Sequence, residues 1–144
     1  MNEQNYANHH RFVKGFHFVL SLLLIIGAIG SLVNIYLQWA TGNGIMNAIL
    51  LVWLFICTMI IYVYTRQFPI KVQDRVIRAE ENLRYFMLTN KPIDSRITMS
   101  QIIALRFASD EEFLVLIDRA INENLSQEEI KKAIKNWRAD NHRA

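Results

Sequence analysis

Hydrophobic and polar positions divide the chain into two regimes. Residues 15–65 contain no Lys, Arg, Asp or Glu, and His17 is the only residue among them able to carry charge near neutral pH. Outside that block the chain is dense in charge. About 20 apolar residues suffice to cross a bilayer as a helix, so the block is long enough for two spans and a short turn. "FHFVLSLLLIIGAIGSLVNIYLQW" (16–39) and "IMNAILLVWLFICTMIIYVYT" (45–65) are the two runs, and "ATGNG" (40–44) between them supplies turn residues. A soluble hairpin this apolar would need a large protein around it, and the remaining residues are too few to cover it. A cleaved signal peptide is a poor account of the first run, which is too long for a signal's apolar region and is followed at once by a second.

Beyond Arg66 the pattern turns amphipathic. Pro69 fits a kink or a first-turn position where the second span hands over to the next helix. Val72, Val76, Ala79, Leu83 and Phe86 recur at steps of four and three, which makes one apolar stripe. Such a stripe can serve as a short coiled-coil seam, although it covers under three heptads. "NKPIDSR" follows as a loop, with Asn90 and Pro92 stopping the helix.

Three further helices are predicted, at 98–107, 109–124 and 126–139. Each start matches a capping box: Thr98 with Gln101, Ser109 with Glu112, and Ser126 with Glu129. Ile97 with Ile102, and Leu125 with Ile130, sit at the positions of a hydrophobic staple. Asp110, Glu111 and Glu128 lie where a helix dipole favours negative charge. These acidic clusters therefore read as helix punctuation and not as metal or catalytic groups. Phe113, Leu116, Ile117, Ala120 and Ile121 give the middle helix an apolar face, as Ile130, Ala133, Ile134 and Trp137 do for the last. Lys131, Lys132, Lys135 and Arg138 are expected on the opposite face of that last helix.

Charge adds an orientation. Arg11 and Lys14 precede the first span, Arg66, Lys71, Arg75 and Arg78 follow the second, and the turn is uncharged. The positive-inside rule then places both termini in the cytoplasm, with Tyr36 and Trp39 at the outer interface and Tyr62 and Tyr64 at the inner one. Gly27, Gly30, Ser31 and Asn34 share one side of the first span. Asn47, Leu51, Leu54 and Thr58 share one side of the second, and small or polar faces of this kind favour helix contact. With a turn centred near Gly42, Gly27 falls at the depth of Cys57, and Trp53 faces away from the partner span.

Candidate chemistry is sparse. His9, His10 and His17 cluster in sequence, but no carboxylate or thiol completes a ligand set, and interfacial positioning accounts for them. Cys57 is the single cysteine and lies within a span, so it implies no disulfide framework. No phosphate loop, nucleophile elbow or zinc-protease motif occurs. Residues 109–139 could imitate a helix-turn-helix, yet from Arg66 onward 14 Lys and Arg face 12 Asp and Glu. A nucleic-acid footprint normally shows a clear basic excess.

"QNYANHHRFVKGFHF" near the start and "RITMSQIIALRFASDEEFLVLIDRAINENLSQEEIKKAIKNWRADNHR" at the end resemble a family of short bacterial inner-membrane proteins with two spans and no assigned activity. That resemblance implies a bacterial cytoplasmic membrane and no reaction chemistry. The sequence thus predicts an all-α protein: an N-terminal segment 1–14, a transmembrane hairpin 15–66, and a small cytoplasmic domain 67–144 of about four helices. The expected function is a non-enzymatic anchor or interaction module with no catalytic, cofactor or metal residues. Its expected partners are the lipid bilayer and a protein, or a second copy, met through the cytoplasmic helices. The competing readings are a membrane-tethered nucleic-acid binder and an accessory subunit of a transporter or membrane enzyme.

Overall fold

The computed structural model describes residues 4–6, 8 and 13–140. Among them every regular element is a helix and no strand forms. His9, His10 and Arg11 lie outside the described residues. Five α-helices follow in order: α1 (Ser21–Thr41), α2 (Ile45–Thr89), α3 (Met99–Leu105), α4 (Asp110–Asn122) and α5 (Gln127–Ala133). A π-helical stretch, Gly15–Leu20, leads into α1. The chain divides into two compact units between Phe68 and Pro69, and the described residues Gln4, Asn5, Tyr6 and Asn8 group with the second.

In the first unit, α1 ends because Gly42 turns left-handed (φ 72°) and its N–H donates to the Gln38 carbonyl at 2.9 Å. Gly44 also adopts a positive φ of 70°. A residue with a Cβ would be strained at either position, so the "TGNG" composition dictates the turn. Both Gly15–Thr41 and Ile45–Thr89 contain stretches long and apolar enough to cross a membrane, and only 6% of each such stretch is buried within the protein.

The buried side of α1 carries Gly27 and Ser31, as its small residues predict, whereas Gly30 is exposed. The buried side of α2 differs from the expected one. Ala48 is fully buried and Val52, Phe55 and Tyr62 are half-buried, while Asn47, Leu51 and Leu54 are exposed and only Thr58 is half-buried. Gly27 lies against the ring of Phe55, and a Cβ there would overlap it. Phe55 is two residues closer to the turn than the expected neighbour Cys57. Without a side chain, Gly27 lets the Phe55 ring approach the α1 backbone closely. Trp53 is 65% exposed.

At the start of the hairpin the wide π-helical turn leaves the Phe16 carbonyl reachable. Ser21 Oγ donates to it at 3.3 Å, the Tyr62 hydroxyl lies 3.5 Å away, and the two hydroxyls meet at 2.6 Å. Tyr62 also stacks on Phe16, with ring centroids 4.6 Å apart. Tyr62 therefore faces the start of the first helix.

The second unit begins within α2, which runs through Pro69 without a break. Pro69 has no N–H for the Thr65 carbonyl, a local loss that the flanking helix tolerates. Asn90, at φ 56°, ends the helix by donating its N–H to the Phe86 carbonyl at 2.7 Å. α3, α4 and α5 then enclose a core that includes Ile102, Leu105, Phe107, Phe113, Ile117 and Ile130. Ile97 and Ile130 are buried and Leu125 packs alongside, so both predicted staples feed this core. The predicted apolar faces of α4 and of Ile130, Ala133, Ile134 and Trp137 pack there as well.

Two sequence expectations change. α5 stops at Ala133 instead of 139, since Ile134 is extended and residues 135–138 run back along 107–109. There the Ser109 N–H donates to the Asn136 carbonyl at 3.1 Å and the Arg138 N–H to the Phe107 carbonyl at 2.7 Å, while Trp137 packs on Phe107. Ser109 makes no side-chain cap; its Oγ is buried without a hydrogen-bond partner. Glu112, its expected box partner, instead accepts the N–H groups of Lys135 and Asn136 at 3.0 and 3.3 Å. The stripe of Val72, Val76, Ala79, Leu83 and Phe86 is an apolar face that stays exposed, and α2 meets the core through Ile77 and Tyr85.

Candidate functional site

A cluster of ionisable groups in the second unit centres on Arg84. Its position follows from helical periodicity: Ile77, Glu81 and Arg84 recur at steps of four and three, so the apolar anchor and both charges share one face of α2. The ends of α3 and α4 supply the other half. Arg84 Nε donates to Asp110 Oδ1 at 2.7 Å, Nη1 to Glu81 Oε2 at 3.0 Å, and Nη2 to the Ala108 carbonyl at 2.8 Å. The guanidinium carbon stands 4.1 Å over the Phe113 ring. Asp110 is mostly exposed, whereas Arg84 and Glu81 are buried.

A planar, permanently charged fork suits this place because it satisfies three acceptors at once and stacks on an aromatic face. Burial raises the Glu81 pKa from its ordinary value by stripping its hydration; hydrogen bonding to Arg84 and the charges of Arg84 and Arg138 oppose that rise. A second pair, Arg106 Nε to Asp140 Oδ2 at 3.2 Å, lies on the same groove, whose volume is about 570 Å³. Arg106 also stacks over Phe107, 4.6 Å from its centroid.

Gln101 is the other buried polar side chain that organises this unit. As the third residue of α3 it closes the Thr98 capping box, accepting the Thr98 N–H at 2.8 Å. Its Nε2 donates across to the carbonyls of Ala120 and Leu125 at 3.1 and 3.0 Å. One amide thus starts α3 and ties it to the end of α4.

These groups are directed at one another. The groove mixes cations with carboxylates, so it presents no single-sign field for an anion or a metal, and the network fixes the tail of α2 against the α3–α4 corner. No catalytic, cofactor or metal residue was expected from the sequence. Among the described residues no group of three or more His, Cys, Asp or Glu side chains converges as metal ligands would. His17 Nδ1 lies 3.0 Å from the Val13 carbonyl and its ring packs edge-on to Phe16. Periodicity alone could have placed Glu81 beside Arg84, but not Asp110, which is distant in sequence.

The cations expected on one helical face are separated by the early end of α5. Lys131 and Lys132 remain on the helix, with Lys132 lying 5.7 Å from the Tyr6 ring centroid. Lys135 and Arg138 fall on the segment that runs back along 107–109, so no long basic helix presents all four together.

No curated protein and no solved structure matches the chain. The profile of a "Family of unknown function (DUF6526)" matches residues 1–144, and the chain belongs to that family.

Proposed function

We propose that this member of the DUF6526 family is a membrane-anchored, non-enzymatic interaction module of the bacterial cytoplasmic membrane, with both termini in the cytoplasm. The carrying observation is the exposure of α1 and the first half of α2. Leu22, Leu23, Ile26, Ile29, Trp53 and Leu54 all stand open on helices that contain no charged residue over the span length. In water so continuous an apolar surface would aggregate; in a bilayer it is solvated by acyl chains. The basic flanks at Lys14, Arg66 and Lys71 support the orientation. In the second unit, the charged side chains around Arg84 serve the fold, while α2 retains exposed apolar side chains suited to a protein contact.

The test is fractionation of bacteria expressing the full chain, with a reporter active only outside the cytoplasm fused after Ala144. The protein should stay with membranes after alkaline carbonate washing, and the reporter should be silent. Release into the wash would refute the anchor, and an active reporter would refute the orientation.

A further inference from the structure

The face of α2 that the core leaves uncovered has a specific geometry. At about 100° per residue, Val72, Val76, Ala79, Leu83 and Phe86 cluster around one line along the helix. Ile77, Glu81, Arg84 and Tyr85, which bind the helix to its own unit, cluster about the opposite line. Val72, Val76, Leu83 and Phe86 are between 49% and 61% exposed, and Ala79 is exposed as well. The stripe follows the alternation of a coiled-coil seam, with Val76 and Leu83 at a and Val72, Ala79 and Phe86 at d.

Charge then identifies the occupant. Arg75 falls at g and Glu80 at the following e, one on each border of the stripe, and both are exposed. In a parallel two-stranded coil, a g residue meets the e residue five positions later on the other chain. A second copy in register therefore sets Arg75 against Glu80 of its partner, and Glu80 against the partner's Arg75. The remaining g and e positions near the stripe, Asn82, Gln73 and Met87, carry no charge to oppose this. Two copies inserted in one bilayer with the same topology present these segments with the same chain polarity, which is the parallel arrangement. Fewer than three heptads would pair weakly in solution; confinement to a membrane raises the effective concentration of the second strand.

From this geometry we infer that residues 72–86 of α2 form a parallel, in-register two-stranded coiled coil with a second copy of this chain. The inference rests on the membrane-anchored reading and names the partner that the interaction module takes.

The experiment uses the full chain in membranes of the expressing bacterium, with Cys57→Ser as background. Ala79→Cys should give a disulfide-linked homodimer under mild oxidation, and Arg78→Cys, on the same turn but off the stripe, should not. Arg75→Glu or Glu80→Arg should lose most of that dimer in the Ala79→Cys background, and combining the two reversals should restore it. Equal bridging at positions 78 and 79 would overturn the inference. So would a bridge between co-expressed Val72→Cys and Phe86→Cys chains, or an Ala79→Cys adduct to a protein of another mass. A carbonate wash of the same membranes separates the two claims. Retained protein without the dimer defeats the coiled coil alone, whereas released protein defeats the anchor on which it rests.

Discussion

Arg84 joins Glu81, Asp110 and the Ala108 carbonyl through one side chain, so its removal has a calculable consequence. Arg84→Met keeps the side chain's bulk but leaves Glu81 buried without its cation. Breaking a buried pair in this way costs about 3–5 kcal/mol. The loss should appear in chemical unfolding followed by Trp137 fluorescence, with Trp39 and Trp53 replaced by Phe. Adding Glu81→Leu should recover much of it, because an apolar pair of similar volume has no charge to desolvate. The same carboxylate sets a pH dependence. The Glu81 pKa is raised by burial above its ordinary value of 4.5. Its contribution to stability is therefore fully present below pH 4.5 and is lost as pH rises through the folded-state value. Half-buried Asp94 and exposed Glu123 and Glu129 behave oppositely: Arg96 holds Asp94 down to about 2, while Arg119 and the Ser126 hydroxyl hold Glu123 and Glu129 below 4.5. Their contributions, small because water screens them, are lost as pH falls through their lowered values. Stability should thus increase on mild acidification and fall again in stronger acid. Glu81→Gln should remove the increase and leave the acid limb, a comparison that pH-dependent unfolding of the two proteins makes directly.

At the scale of the element, local signals succeeded where the side chain and the backbone group it serves are neighbours. Thr98 with Gln101 and Ser126 with Glu129 form complete capping boxes, and their sequence pattern contains everything needed to see them. The same pattern at Ser109 misled because Glu112 has a stronger claim elsewhere. Residues 135 and 136 have left the helix and present N–H groups that a carboxylate from α4 can accept. That competition is tertiary and leaves no local trace. It also reorders the expected mutational effects. Ser126→Ala should cost about 0.5–2 kcal/mol, the loss of a working cap. Ser109→Ala should cost nothing measurable or stabilise slightly, since it removes a buried hydroxyl that has no partner. Glu112→Ala should cost about 1–3 kcal/mol by stripping the acceptor from the Lys135 and Asn136 N–H groups. Matched denaturation curves of the three variants test this order, and a larger loss at Ser109 than at Ser126 would contradict it. The stripe on α2 teaches the same lesson from the other side. Periodicity located an apolar face correctly, but burial within one chain was decided by Ile77, Tyr85 and the Glu81–Arg84 pair on the opposite face.

For the whole molecule, the two regimes of the sequence were legible because charge is excluded from one and abundant in the other. Which faces of the hairpin touch was only half legible. The small residues of α1 pointed to Gly27 and Ser31, but nothing in composition distinguished Phe55 from Leu54 as the side chain to fill the hollow. Once that contact is known, the hairpin becomes testable by steric filling. A Cβ at Gly27 overlaps the Phe55 ring, whereas one at Gly30 meets nothing within 4 Å. Gly27→Leu therefore evicts the Phe55 ring from the hollow, and the loss of that contact should loosen the Ser21–Tyr62 hydroxyl contact at 2.6 Å. Gly30→Leu adds only exposed surface. In lipid there is no hydrophobic penalty for separating two apolar helices, so close packing and the few interhelical hydrogen bonds supply what holds them. Adding Phe55→Ala to Gly27→Leu returns volume to the hollow and should restore the contact. The readout is the disulfide yield of a Ser21→Cys, Tyr62→Cys pair in a Cys57→Ser background, measured in membranes. That yield should fall with Gly27→Leu, remain with Gly30→Leu, and return with the compensated pair. Equal loss from both leucine variants would show that the hairpin is not held through Gly27.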